Sequence, residues 1–313
     1  MTGLPTGATA RAMQLEDAGV VQQHLAAHSV ALIGLHQYSP EGVSDFLRNP
    51  QLDLATDTWL VSVDGAIAGT AAVVRRPDCL GIELTSADRA IANWLLDNAI
   101  TRATEVTREA GADEQTLRLA VLGADELLAE LAAERGFRHE TSIQRMKILH
   151  DGPIERPLVP AGIVVRSGAP DEAGRRTAYR MVVETFADQP SSSPPGYDEW
   201  VQAREARSTF DWSYLTVLEL DGEPVAIREI DRNFVNSDNC GYIGRIGVLP
   251  QARGRGLAKY LLRDQFAQDA TTGLTGTLLH VDSSNPTPAV GLYLSVGMRP
   301  DIITDRWRKT LRV

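Results

Sequence analysis

A chain of 313 residues with 43% hydrophobic and 23% charged side chains carries enough apolar material for two cores of about 150 residues each. Its formal charge of −10 excludes general nucleic-acid binding, because a phosphate backbone would be repelled. No apolar run approaches the ~20 residues that cross a bilayer, and the two cysteines, Cys79 and Cys240, have neither metal-ligand spacing nor the makings of a disulfide framework.

Along the chain, Met1 to Ala10 lacks the basic-then-apolar pattern of a signal peptide, so a cytoplasmic location is expected. His24 and His28 share a helix face at i,i+4 but have no third ligand nearby in sequence, so no metal is expected. Trp59 to Val63 and Ala66 to Val74 flank Asp64-Gly65, a hairpin signal, because a tight turn needs positive φ at both central residues. Arg135-Gly136-Phe137 marks a helix end. Residues 151–160, DGPIERPLVP, have linker composition and divide the chain into domains at 1–150 and 161–313.

The second half reads as a strand at Ile163–Arg166, a helix at Asp171–Phe186 and a hairpin of Tyr214–Leu220 and Glu223–Ile230 around Asp221-Gly222. A strand at Gly241–Val248, a helix at Gly256–Ala270, a strand at Thr277–Asp282 and a helix at Thr287–Val296 follow, with one or two strands in the tail. The Asp-Gly turns are 157 residues apart, and the Gly136 and Gly297 helix ends 161 apart. A nearly constant offset points to internal duplication. The pattern predicts a mixed α/β protein with helices packed on a central sheet in each half.

Gln251-Ala252-Arg253-Gly254-Arg255-Gly256 follows a strand and opens a helix. Glycine lets the backbone turn tightly and approach an anion, and the first N–H groups of a helix point outward with the positive dipole end behind them. Arg245, Arg253, Arg255, Lys259 and Arg263 add positive charge within 19 residues of an acidic chain. The spacing fits neither a dinucleotide fingerprint nor a nucleoside-triphosphate loop. Downstream stands Asn285-Pro286-Thr287-Pro288-Ala289-Val290-Gly291-Leu292-Tyr293, closing on Val296-Gly297-Met298.

Together, in this order, the two segments resemble the GCN5-related N-acetyltransferase (GNAT) superfamily, with its Gln/Arg-x-x-Gly-x-Gly/Ala loop and its later Asn and Leu-Tyr helix. The resemblance implies two tandem GNAT-like domains. Each would be a twisted, mostly antiparallel sheet with splayed parallel central strands and flanking helices. The tandem form resembles the mycothiol synthase-like actinobacterial proteins. It implies acetyl-CoA as cosubstrate and transfer of its acetyl group to a primary amine of a small molecule in a ternary complex, with the second half catalytic. Carried over, Ile246, Gly247 and Val248 pair with the pantetheine arm, and the Val248 N–H faces the developing oxyanion. Gln251, Arg253, Gly254, Arg255, Gly256, Leu257 and Ala258 hold the pyrophosphate, Asn285 contacts the arm, and Tyr293 is the acid beside the sulfur.

Many relatives place a glutamate on the fourth strand, but Gly241–Val248 has no acid. Glu229, Asp231, His280 and Asp282 are candidate bases, and the sequence does not choose among them. Family likeness also suggests acceptor contacts at Asp188, Tyr197, Asp198, Glu199 and Trp200. The first half has Leu84 to Ala90 where the loop should be, without a glycine pair, and Ala132 where the tyrosine should be, so it reads as a degenerate copy that lacks the cradle. Two other readings remain open: an acyl-CoA-binding regulatory module without turnover, and a protein acetyltransferase.

Overall fold

The computed structural model describes residues 3–187, 195–285 and 288–313. The first half contributes β1 (Ala8–Arg11), α1 (Ala18–Ile33), α2 (Pro40–Leu47), α3 (Leu54–Asp57), β2 (Thr58–Val63), β3 (Ala66–Arg75), β4 (Leu80–Thr85), α4 (Arg89–Glu109), β5 (Glu114–Leu122), α5 (Glu126–Glu134) and β6 (Arg138–Leu149). Then come β7 (Ile163–Ser167), α6 (Glu172–Thr185), α7 (Tyr197–Glu205), β8 (Leu215–Leu220), β9 (Glu223–Asp231), α8 (Val235–Asp238), β10 (Cys240–Val248), α9 (Leu257–Thr271), β11 (Gly276–Asp282), α10 (Ala289–Ser295) and β12 (Arg299–Arg312). Both Asp-Gly turns have positive φ at each residue, 50° and 80° at Asp64-Gly65 and 53° and 84° at Asp221-Gly222. That geometry matches the right-handed twist of the strands they join.

One compact unit comprises the chain up to Ile143 together with Ile302–Val313; the other is Gln144–Asp301. In the first, strands run in the order β1-β2-β3-β4-β5-β12-β6, and β4 pairs with β5 in parallel. Helix α4 lays Ile91, Leu95, Leu96 and Ala99 on Val73, Ile82 and Leu119. Their helical spacing makes one apolar stripe, and each fully buried leucine contributes about 1.5–3 kcal/mol over an exposed one. The division differs from the expected 1–150 and 161–313 at the tail. Thr304 to Arg312 pair antiparallel with Leu122 to Glu114 of β5, so the last strand completes the first unit's sheet. Residues 151–160 carry no helix or strand.

In the second unit the order is β11-β10-β9-β8-β7. Neighbours from β7 to β10 are antiparallel, and β10 and β11 are parallel. One face packs on α9 through Leu262 and Phe266 against Ile243, Leu279 and Val281. The other packs on α6 and α7 through Ala178, Met181 and Trp200 against Leu215 and Ile227. The two units therefore repeat a hairpin, a parallel central pair and a long helix between its strands, the arrangement the constant offset predicted.

Candidate active site

The parallel register between β10 and β11 runs from Cys240 opposite Gly276 to Ile243 opposite Leu279 and stops there. Both strands continue, β10 to Val248 and β11 to Asp282. The next residue, Gly244, is the extra one in the β9 ladder, which shifts register between Ile243 and Arg245. A bulge bends and twists its strand, and here it turns β10 away from β11. Leu249 donates its N–H to the Val225 carbonyl of β9 at 2.9 Å. Strand alternation therefore points the N–H groups of Val248 and Ile246 to the other, unpaired edge. A cavity of about 520 Å³ occupies the gap. Gly247 has no room for a side chain, since a Cβ would lie 2.4 Å from the Thr185 hydroxyl of α6.

One wall of the cavity is the start of α9. Gly254 and Gly256 both have left-handed φ, 78° and 76°, a conformation that costs other residues about 1–2 kcal/mol. Gly256 is the N-cap and supplies no side-chain cap, so the first N–H groups of α9 are left for an anion, backed by the helix dipole. The Arg253 Nε donates to the Val248 carbonyl at 3.2 Å, which ties the loop to the strand. The cavity lining includes Ile246, Gly247, Val248, Arg253, Gly254, Gly256, Leu257, Ala258, Asn285 and Tyr293. Gln251, in the turn Pro250–Ala252, and Arg255 are not among the lining residues. Pro286 and Thr287 lie outside the described residues.

Tyr293 sits on α10 among Ile243, Leu279 and Val281 and borders the cavity. Burial pushes its phenol up to about 12, so the group holds its proton at neutral pH. Arg245, Arg253 and Lys259 all line the cavity, but Arg245 also reaches to Glu229 at 3.2 Å. Glu229 is wholly buried and also pairs with Arg204 at 2.6 Å and Arg207 at 3.1 Å. Burial alone would raise the Glu229 carboxyl, but Arg245, Arg204 and Arg207 outweigh it and hold the group below its ordinary value. A carboxylate so held is a poor proton acceptor. Asp231 pairs with Arg207 at 3.0 Å, and His280 and Asp282 line the cavity. The His280 Nδ1 lies 3.0 Å from the Tyr242 hydroxyl.

Of the family-derived acceptor positions, Trp200 is buried in the α6–α7 core. Tyr197 donates its hydroxyl to Glu172 at 2.9 Å and, with Asp198, borders a separate surface depression. Glu199 lines neither cavity, and Asp188 lies outside the described residues. Arg204 and Arg207 were not singled out from the sequence. Their signal was available only as an i,i+3 arginine pair and the alternating acids Glu229 and Asp231, which nothing local connects.

In the first unit, among the described residues, the start of α4 is capped by a side chain. Asp88 caps α4, accepting from the Ala90 and Ile91 N–H groups at 2.8 and 3.0 Å. A carboxylate thus fills the place where α9 leaves its N–H groups open. Ala132, at the position of Tyr293, is fully buried in the core.

Residues 179–298 match the family model described as the acetyltransferase (GNAT) family. The chain is 33% identical over 172 residues to a mycothiol acetyltransferase of Thermomonospora curvata, covering 54% of this chain and 55% of that protein. It is 28% identical over 244 residues to the mycothiol acetyltransferase of Streptomyces griseus, covering 76% of this chain and 75% of that protein. The match thus spans about half the length of the first relative. Among solved structures, a GCN5-related N-acetyltransferase from Sphaerobacter thermophilus superposes with a TM-score of 0.81 at 26% identity, over 99% of this chain and 98% of that one. A tandem GNAT protein from the clavulanic acid biosynthesis pathway shares the fold with a TM-score of 0.70 at 15% identity, over 97% and 98% of the two chains. Residues 179–298, with their splayed central strands and uncapped helix after a two-glycine turn, thus carry a match to the acetyltransferase (GNAT) family, and the chain as a whole shares the fold of tandem GNAT proteins.

Proposed function

We propose that the second unit transfers the acetyl group of acetyl-CoA to a primary amine of a small molecule, by direct attack in a ternary complex. The observation that carries this reading is the continuous cavity from the uncapped start of α9, along the free edge of β10, to Tyr293. Its chemistry fits the cosubstrate from end to end. Outward N–H groups suit a pyrophosphate. A free strand edge suits the amide-bearing arm, which can pair with it as an added strand would. The relatives named mycothiol acetyltransferases support a small amine as acceptor, and cytoplasmic location belongs to the same reading.

Acetyl-CoA, when bound, supplies an acetyl carbon activated as a thioester. The N–H groups from Gly254 to Ala258, with Arg253, hold the phosphates, and Ile246 to Val248 and Asn285 orient the arm. The acceptor nitrogen forms the new N–C bond as the C–S bond breaks and its electron pair leaves on sulfur. The Val248 N–H stabilises the negative charge that develops on the carbonyl oxygen. Tyr293 gives its proton to the departing sulfur and regains one from the acylated nitrogen through solvent, which leaves an amide and a free thiol. Glu229 is committed to three arginines, so this reading assigns it no proton transfer.

Thiol release from acetyl-CoA with a panel of small amines tests the proposal. Amine-dependent turnover, lost in Tyr293→Phe, is expected. Coenzyme A binding without turnover on any amine, unaltered in that variant, would instead favour a sensing module.

A further inference from the structure

A largely buried charge cluster reaches the cavity through one of its members, Arg245. Glu229 is the hub of three guanidinium groups. Arg204 reaches one of its oxygens from α7, through Nε at 3.1 Å and Nη2 at 2.6 Å. Arg207 and Arg245 reach the other at 3.1 and 3.2 Å. Asp231 takes the remaining contact of Arg207 at 3.0 Å. Three cations against two carboxylates leave one net positive charge. Unpaired charge is costly inside a protein, so it must face solvent or a ligand.

Arg245 and Arg207 are the part-exposed members of the cluster, at 40% and 31%, and of the two Arg245 lines the cavity. Glu229, Arg204 and Asp231 are buried, with side chains 0%, 4% and 4% exposed. Among the described residues the one ion pair of Arg245 is through Nη1 to Glu229, so the rest of the planar fork is free to hold an anion. Gly244 before it contributes no side chain, and a Cβ there would lie 4.0 Å from the Glu229 Oε1. The acidic group nearest the bulge is therefore already neutralised, and Arg245 presents its guanidinium to a cavity whose lining also includes the Asp282 carboxylate. That guanidinium repels a simple alkylammonium and attracts an acceptor with an acidic group of its own. A guanidinium fork matches the two oxygens of a carboxylate or phosphate.

We propose that the acceptor is a small amine bearing an anionic group, a carboxylate in the first instance, and that Arg245 holds that group while Glu229 fixes the arginine in place. This rests on the acetyl-transfer reading above and narrows it to aminocarboxylate-type acceptors. Arg245 acts here in specificity; it takes no part in bond making.

The test uses the full chain with acetyl-CoA and matched acceptors: glycine, β-alanine and 4-aminobutyrate, their carboxamides, and phosphoethanolamine. A kcat/KM at least ~10-fold higher for the carboxylate than for its carboxamide is expected in one or more pairs, as befits a charged hydrogen bond. In Arg245→Met that ratio falls toward one, and Arg245→Lys, which keeps the charge but loses the fork, recovers part of it. Calorimetry in saturating coenzyme A reads binding independently. The preferred carboxylate should bind ~10-fold or more weakly to Arg245→Met, while coenzyme A affinity shows that the variant is folded. A preference for phosphoethanolamine would support the anion site and identify its ligand as a phosphate. Equal turnover of every acid and amide, or an unchanged ratio in Arg245→Met, overturns the inference while leaving acetyl transfer standing. No turnover on any amine, with coenzyme A bound, refutes the transfer reading and this inference with it.

Discussion

Replacing both Gly254 and Gly256 by alanine tests the phosphate loop. Both residues have φ near 77°, at 78° and 76°, where an L side chain costs about 1–2 kcal/mol. A Cβ at either position would meet nothing within 4 Å, so no clash adds to this strain. The double variant Gly254→Ala, Gly256→Ala should therefore lose about 2–4 kcal/mol, and the loop decides where the loss appears. If the backbone keeps its shape, the loss falls on stability and coenzyme A affinity survives. Should the loop relax to negative φ, stability recovers, but the N–H groups of α9 no longer converge and Kd rises ~30- to ~1000-fold. Chemical denaturation and calorimetry with coenzyme A together measure both terms. Their sum is the predicted quantity, and a combined loss below about 1 kcal/mol would refute the strain argument. Gly291→Ala is the control. Its site in α10 is open and has no positive φ, so alanine there should stabilise by about 0.5–1 kcal/mol.

Other expectations concern single groups. Tyr293→Phe should lower kcat by ~100-fold or more while coenzyme A affinity stays within about twofold, since a positioned acid supplies that order of rate. With the phenol near 12, its acid form persists, so the wild-type pH profile should show no alkaline loss from this group below about pH 10. Asp269 is buried against Thr277 and Gln265, and burial raises its carboxyl to about 6. Its folded pKa lies above the unfolded value, so the folded state binds the extra proton and stability falls as pH rises from about 4 to 6. Asp269→Asn should accordingly raise Tm at pH 8 and leave it nearly unchanged at pH 4, measured by thermal melts. In the first unit, Asp88→Ala removes the α4 cap and should cost about 1 kcal/mol without creating measurable coenzyme A binding there. A second equivalent of bound coenzyme A in that variant would mean the capping carboxylate alone had closed the site.

Local chemistry made much of this protein legible from its sequence. Asp-Gly between apolar runs specifies a turn through two backbone angles, and both turns formed. The glycine pair before an apolar helix specifies an open N-terminus because the required φ and the missing cap are properties of those residues themselves. Tyr293 was singled out through the family resemblance of its segment; it borders the cavity, and its burial follows from the apolar face of α10. In the first half, Asp88 before α4 likewise specifies a capped helix start, and the cap formed.

Only the tertiary structure decided which distant groups share a space. Arg245 and Arg253 are eight positions apart and look alike in sequence, yet one turns to Glu229 and the other to the Val248 carbonyl. That choice depends on the bulge at Gly244 and on arginines delivered from α7, neither of which has a local signature. The last strand likewise completes the first unit's sheet, although sequence order assigns it to the second. Turn angles and helix starts are fixed by a few neighbouring residues, whereas ion-pair partners and strand neighbours are fixed by whichever segments folding brings within a few ångströms.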